Sequence, residues 1–297
     1  MLNLSIFCLL ALVLSLSKNI LERSKKSFNK FRTSAGKYIF LLFFSTICSL
    51  HAQQLNIGLC IVATGKYISF VKPLLDSAQK YFCPQHQRTY FIFTDADQAT
   101  LAPLTQSSYH DNIIITHQKR FGWPCDTLMR FSVYKEHKDL FADMDYVFAT
   151  DADMLFVDTE GDEILSDLVG TNHPGFEKNK PLWGSEPPYD RNPRSTAYIH
   201  FDEGTYYFAG GFYGGRTANF IQLVESLTHN ILIDRENLNY IAIWHDESHL
   251  NRYFIDNKPT LILDRSYCYP ENGEIKGYPV CSPKLLALDK NHAEIRE

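Results

Sequence analysis

From residue 55 onward the chain alternates short apolar runs with longer segments whose apolar residues recur every three or four positions. Residues 55–63, 89–93, 112–116 and 145–149 read as buried strands. Residues 68–82 and 126–137 read as helices, the first from its apolar stripe Phe70, Val71, Leu74, Leu75, Ala78, Tyr81 and Phe82. Another strand at 206–213, helices at 217–233 and 244–255, and a short strand at 260–263 complete the pattern. Strands alternating with helices predict an α/β fold, a mostly parallel sheet flanked by helices on both faces. The 297 residues supply ample apolar material for one such domain over 55–297. A stretch at 171–203, rich in Pro, Gly and Asn, reads as a looped insertion.

In open α/β sheets, ligands bind at the carboxyl ends of the strands. The run Asp145-Tyr146-Val147-Phe148-Ala149-Thr150-Asp151-Ala152-Asp153-Met154 is an apolar strand that ends in two carboxylates separated by one small residue. Side chains at i and i+2 leaving a strand point the same way, so Asp151 and Asp153 can face one hard cation such as Mn²⁺ or Mg²⁺. A turn or helix-capping pair is the other reading. The pattern is cheap: Asp95-Ala96-Asp97 and Asp143-Met144-Asp145 share it, and Thr94 to Asp97 repeats the four letters of Thr150 to Asp153. A phosphatase of the haloacid-dehalogenase type would carry Thr or Val two residues past the second Asp, where this chain has Ala99 and Leu155.

Two further runs are informative. In Trp244-His245-Asp246-Glu247-Ser248-His249 the two histidines share a helical face, but a zinc hydrolase of the H-E-x-x-H type needs Glu directly after the first His. That place holds Asp246, and Glu247 is rotated away by about 100°. A polar helix start is the plainer reading. In Tyr206-Tyr207-Phe208-Ala209-Gly210-Gly211-Phe212-Tyr213-Gly214-Gly215 the small residues allow close approach by a ligand or by another strand.

A net charge of -5 argues against a nucleic-acid partner. The seven cysteines include no C-x-x-C pair, which excludes a thiolate zinc site and leaves no legible disulfide framework. Ahead of the domain, an apolar run at 2–17, a basic stretch at 18–37 and a second apolar run at 38–48 ending near Ala52 have the parts of a signal or anchor. Neither run reaches the ~20 apolar residues of a comfortable membrane span. A signal peptide with a mis-set start, an N-terminal anchor and a hairpin anchor all fit. Residues 1–54 are therefore expected to export the domain or attach it to a membrane.

Taken together, the motifs resemble glycosyltransferase family 6, the group of the histo-blood-group A and B transferases and the α1,3-galactosyltransferases. The resemblance runs from about Ile57 to the C-terminus. It is carried by Lys66-Tyr67, Phe93-Thr94-Asp95, Arg130, Asp151-Ala152-Asp153-Met154, His173-Pro174-Gly175-Phe176, Ala197-Tyr198-Ile199, Asp202-Glu203-Gly204, Tyr206-Tyr207 with Gly214-Gly215, Trp244 to Leu250, and Lys290-Asn291-His292. It implies a GT-A fold, a UDP-sugar donor, Mn²⁺ (Mg²⁺ being the alternative) and retention of the anomeric configuration.

Residue by residue, the resemblance implies that Tyr67 contacts the uridine and that Arg130 contacts the donor and orders the aspartates. Asp151 then binds ribose and metal, and Asp153 the metal. Ala209, Gly210 and Gly211 line the donor-sugar pocket, and Asp246 bonds the donor sugar. His173, Trp244 and Glu247 meet an oligosaccharide, glycolipid or glycoprotein acceptor. Glu247 is the implied nucleophile or oxocarbenium stabiliser, and Lys290 and Arg296 close over the diphosphate. Ala209-Gly210-Gly211 resembles the A-type pattern, which favours UDP-GalNAc over UDP-Gal. Two departures bear on this. Many bacterial members carry Asn-x-Asn without metal, where this chain keeps the carboxylates. Where members often have an acceptor-binding Asp, this chain reads Tyr269-Pro270-Glu271. The expected activity is α1,3 transfer of GalNAc or Gal to a galactose-terminated, fucosylated glycan. A non-catalytic sugar-binding relative of the same fold is the alternative.

Overall fold

A computed structural model describes residues 54–105, 111–177, 180–181 and 186–296. The leader expected over 1–54 lies outside the described residues apart from its last position. Strands β1 (Asn56–Val62), β2 (Gln87–Thr94), β3 (Asn112–His117), β4 (Tyr146–Asp151), β5 (Met154–Phe156), β6 (Leu168–Asn172), β7 (Phe176–Glu177), β8 (Lys180–Pro181), β9 (Phe208–Arg216), β10 (Leu261–Leu263), β11 (Tyr269–Pro270) and β12 (Leu285–Ala287) follow in chain order. The helices are α1 (Ile68–Tyr81), α2 (Gln98–Thr105), α3 (Cys125–Leu128), α4 (Arg130–Glu136), α5 (Thr217–Leu238), α6 (His245–Asp256) and α7 (His292–Arg296).

The main sheet has the order β10-β6-β9-β4-β1-β2-β3. Pairings β4–β1, β1–β2, β2–β3 and β10–β6 are parallel, and β9 runs antiparallel to both β4 and β6. The expected mostly parallel sheet flanked by helices is thus present, with one reversed strand in its middle. A small sheet, β11-β12-β5, follows directly from the end of β4.

The two faces of the sheet bury different sets, as the period of two requires. On one face Ile57, Leu59 and Ile61 of β1 meet Val71, Leu74, Leu75 and Ala78 of α1, a stripe at i, i+3, i+4 and i+7. On the other, Cys60, Phe91 and Phe93 pack with Phe131 and Tyr134 of α4 and Phe220, Leu223 and Val224 of α5. Each fully buried aliphatic or aromatic side chain contributes roughly 1.5–3 kcal/mol. In β9 a side chain on Gly214 would lie 2.4 Å from the Val147 carbonyl oxygen. Only glycine lets the reversed strand pair this closely with β4.

Three of the differences from the sequence expectation bear on the site. Strand β4 continues past Ala149 because its ladder to β1 extends to Val62 opposite Asp151. The helix expected over 126–137 is broken at Met129 into α3 and α4. At the break the Thr127 carbonyl accepts a bond from Arg130 Nε at 3.3 Å, so a side chain takes a helix acceptor. Strand β6 begins ahead of the stretch read as a loop and runs into it. It is five buried residues between β9 and β10, too short to show a period.

Candidate active site

Asp151 is the last residue of β4, at the C-terminal edge of the parallel strands. Its Oδ1 accepts from Arg130 Nη1 at 2.6 Å. The same guanidinium donates to the Gly210 carbonyl at 3.2 Å, and its Nε lies 3.1 Å from Asp246 Oδ2. Arg130 is buried, and burial opposes its charge, but Asp151 and Asp246 hold its pKa above the ordinary value. One cation therefore ties the end of β4, the first part of β9 and the start of α6 into a single cluster.

Asp153 sits in the turn between β4 and β5 and is only 4 % exposed. A buried carboxylate needs a positive partner to remain ionised, and the ammonium of Lys290 pairs with it. The Lys290 nitrogen lies 5.5 Å from the ring centroid of Tyr67, so these three residues meet. The chain beyond Lys290 is tied down by Lys66 donating to the Glu294 carbonyl at 2.7 Å and Arg120 to the Arg296 carbonyl at 2.8 Å. The Arg296 guanidinium stacks on Trp123 at 4.8 Å, and Trp123 touches the His245 ring edge-on.

Helix α6 presents Asp246 and Glu247 in its first turn, where the helix dipole favours anions. It starts at His245 with φ +51°, a left-handed conformation that non-glycine residues seldom adopt and that costs about 1–3 kcal/mol. Glu247 Oε2 accepts from the Gly210 N–H at 2.8 Å. Asn251 locks the helix to β9: its amide oxygen accepts from the Phe208 N–H at 2.8 Å, and its NH₂ donates to the Phe208 carbonyl at 2.9 Å. Burial raises the pKa of Asp246 and of Glu247 to about 7. Arg130 pulls Asp246 down while Asp151 and Glu247 push it up. The nearby Tyr207 phenol and the Gly210 N–H pull Glu247 down, against Asp151. The Tyr207 hydroxyl is buried beside this carboxylate.

His173 accepts from the Gly175 N–H at 3.0 Å and packs its ring against Tyr207 and Phe176. Burial lowers its pKa to about 4, which keeps the imidazole neutral. Trp244 is half exposed, and its backbone N–H donates to Ser248 Oγ at 2.9 Å. Ala209 is buried, and Gly210 turns toward Asp246 and Glu247, whereas Gly211 turns toward Cys268 and Met154.

The remaining motifs take structural places. Asp95 accepts from the Gly65 N–H at 2.7 Å, and Asp97 accepts from the Thr100 N–H at 2.8 Å, which caps α2. His249 is buried near Thr196 and Asp234 while His245 lies against Trp123, so the two histidines do not converge. Among the described residues no group of three or more His, Cys, Asp or Glu could hold a metal ion. Asp151 and Asp153 offer two carboxylates. Their oxygen chemistry fits Mg²⁺ or Mn²⁺, ions that complete their shell with water and phosphate rather than within an all-protein cage. Sequence reasoning missed Arg120, Trp123, Asn251 and Cys268, and named Tyr207 only as part of its motif. Of the four missed, Asn251, a polar residue on the buried face of α6, left a signal in the sequence.

A mostly parallel sheet with a carboxylate pair at one strand end, joined by an arginine to a second buried pair, defines an α/β group-transfer enzyme. The chain belongs to glycosyltransferase family 6, whose model matches residues 46–297. It is 34% identical over 248 residues to the histo-blood group ABO system transferase 1 of Rattus norvegicus, a match covering 82% of this chain and 69% of that protein. It is 34% identical over 221 residues to the globoside alpha-1,3-N-acetylgalactosaminyltransferase 1 of Homo sapiens, covering 73% and 62%. It is also 31% identical over 237 residues to the O-antigen biosynthesis glycosyltransferase WbnI of Escherichia coli, covering 79% and 94%. The chain is a hexosyltransferase, using a sugar donor and a glycan acceptor.

Proposed function

We propose that the enzyme moves GalNAc, or alternatively Gal, from a UDP donor onto a galactose-terminated, fucosylated glycan in α1,3 linkage with retention. The observation that carries this is the continuous link Asp151–Arg130–Asp246 with Glu247 on the Gly210 N–H. On this proposal the link joins the residues for the diphosphate to those for the sugar within one cluster. Two relatives, one an ABO transferase and one an alpha-1,3-N-acetylgalactosaminyltransferase, support the linkage and the preference for GalNAc.

In this reading Asp151 and Asp153 hold Mn²⁺, with Mg²⁺ as the substitute. The bound ion supplies Lewis acidity to the departing diphosphate. Tyr67 packs on the uridine, while Lys290 and Arg296 neutralise phosphate charge from the C-terminal segment. Ala209, Gly210 and Gly211 shape the donor-sugar space, and Asp246, fixed by Arg130, accepts a sugar hydroxyl. Glu247 faces the anomeric carbon, where its carboxylate supports developing positive charge or attacks. His173, neutral, and Trp244 receive the acceptor. The apolar and basic runs of 1–54 attach the enzyme to a membrane or export it, and carbonate extraction of expressing cells separates these two fates.

The test is transfer to a fucosylated β-galactoside acceptor from UDP-GalNAc and UDP-Gal, with and without Mn²⁺, with the product linkage read by NMR. An α1,3-linked product that needs Mn²⁺ is expected. Glycan binding with no UDP release from either donor would replace this proposal with a sugar-binding function.

A further inference from the structure

The adjacent glycines of β9 point opposite ways. A methyl on Gly210 would stand 3.4 Å from Asp246 Oδ2 and 3.6 Å from Glu247 Oε2. A methyl on Gly211 would stand 3.0 Å from Cys268 Sγ and 3.6 Å from both Met154 Sδ and Met154 Cε. The first contact is tighter than ordinary van der Waals packing, so the thiol already fills the room that Gly211 leaves. Cys268 ends the 3₁₀ turn Arg265–Cys268 after β10, is free, and is 9 % exposed. It lies close enough to Asp151 and Glu247 for both charges to add to burial in raising its thiol pKa. The thiol thus stands among Gly211, Met154 of the Asp151-x-Asp153-Met154 turn, and the two carboxylates at either end of the cluster.

We propose that Cys268 is a specificity-determining residue that gates the size of the donor sugar's 2-substituent. This rests on the donor reading above. A glycine at 211 alone does not define the room available. A hydroxyl and an acetamido group differ in bulk, and the wall they meet beside Gly211 is the Cys268 sulfur. Cysteine is small enough to move aside by one rotamer for the larger group. A branched side chain at 268 is not.

The experiment compares kcat/KM for UDP-GalNAc and UDP-Gal in wild type, Cys268→Ser, Cys268→Ala, Cys268→Leu, Gly211→Ala and the Gly211→Ala/Cys268→Ala double variant. Cys268→Ser, close in size, keeps the wild-type donor ratio. Cys268→Leu lowers the GalNAc:Gal ratio by about ten-fold or more, the scale of added bulk in a tight pocket. Cys268→Ala raises the ratio. Gly211→Ala lowers it, and removing the thiol in the double variant restores part of the loss, a coupling expected only of residues in contact. Calorimetry with UDP alone checks that each variant is folded and keeps its nucleotide site. Ratios that stay within about two-fold across variants that bind UDP overturn the gate and leave the donor reading standing. A wild-type enzyme that binds UDP but releases it from neither sugar overturns the donor reading and the gate together.

Discussion

Asp246 and Glu247 are neighbours with similar burial but opposite company. Asp246 shares the Arg130 guanidinium with Asp151, so its charge is compensated within the protein. Glu247 has one backbone N–H and an adjacent phenol and, among the described residues, no ion pair of its own, so its field is left for the substrate. Glu247→Gln is therefore expected to lower kcat by about 10²-fold or more with UDP affinity unchanged, as steady-state assay and calorimetry would show. Because burial lifts both carboxyls to about 7, kcat/KM should fall as pH drops through about 7 and plateau above it. A profile flat down to pH 5 would contradict the role. The same scale explains what the sequence could not tell apart. The two T-D-A-D runs are alike in letters, and each follows a strand. They differ in their partners: Gly65 and the local cap from Thr100 for one, the distant Arg130 and Lys290 for the other. A separate residue carries a stability prediction. Glu160 is fully buried with neither oxygen bonded, and burial holds its pKa well above 4.5. It keeps its proton in the native state and loses it on unfolding, so its contribution to stability falls as pH rises above 4.5. Glu160→Gln should therefore stabilise the protein relative to wild type at neutral pH, and thermal unfolding across pH should show that gain shrinking as pH falls toward 4.5.

Among the elements, those with a long period were legible. Helix α1 begins at the expected residue and the strands β1 to β3 are where alternation with helices puts them. Elements defined by tertiary partners were not. The break between α3 and α4 depends on Arg130 turning to Asp151, and β6 depends on being sandwiched between β9 and β10. The start of α6 shows how such partners position chemistry: a left-handed His245, a capping bond to Ser248, and the Asn251 amide paired with Phe208 fix the rotation that aims Glu247 at Gly210. Asn251→Ala should cost about 2–4 kcal/mol in urea unfolding, since it leaves buried backbone groups of Phe208 without partners. It should also lower kcat more than it raises KM, because the carboxylate stays in place chemically but loses its aim. A change in KM alone would assign Asn251 to binding instead.

At the scale of the whole molecule, chain segments far apart in sequence converge on the end of β4: the loop after β1, the α3–α4 break, β9, α6 and the C-terminal segment. The C-terminal segment contributes Lys290 and is held by Lys66, Arg120 and Trp123. Truncation after Ala287 should therefore raise the donor KM while leaving the core folded, which donor titration and thermal unfolding would separate. The buried His249, whose pKa is lowered to about 4, gives stability that is complete above its usual 6.5 and lost as pH falls toward 4. The central claim is that, of two identical-looking acidic turns, the one after β4 anchors the leaving diphosphate. It is tested most directly by measuring Mn²⁺-dependent UDP release from UDP-GalNAc by wild type, Asp153→Asn and Asp97→Asn side by side. Loss in Asp153→Asn with near wild-type release in Asp97→Asn is predicted, and equal effects in the two variants would contradict the account.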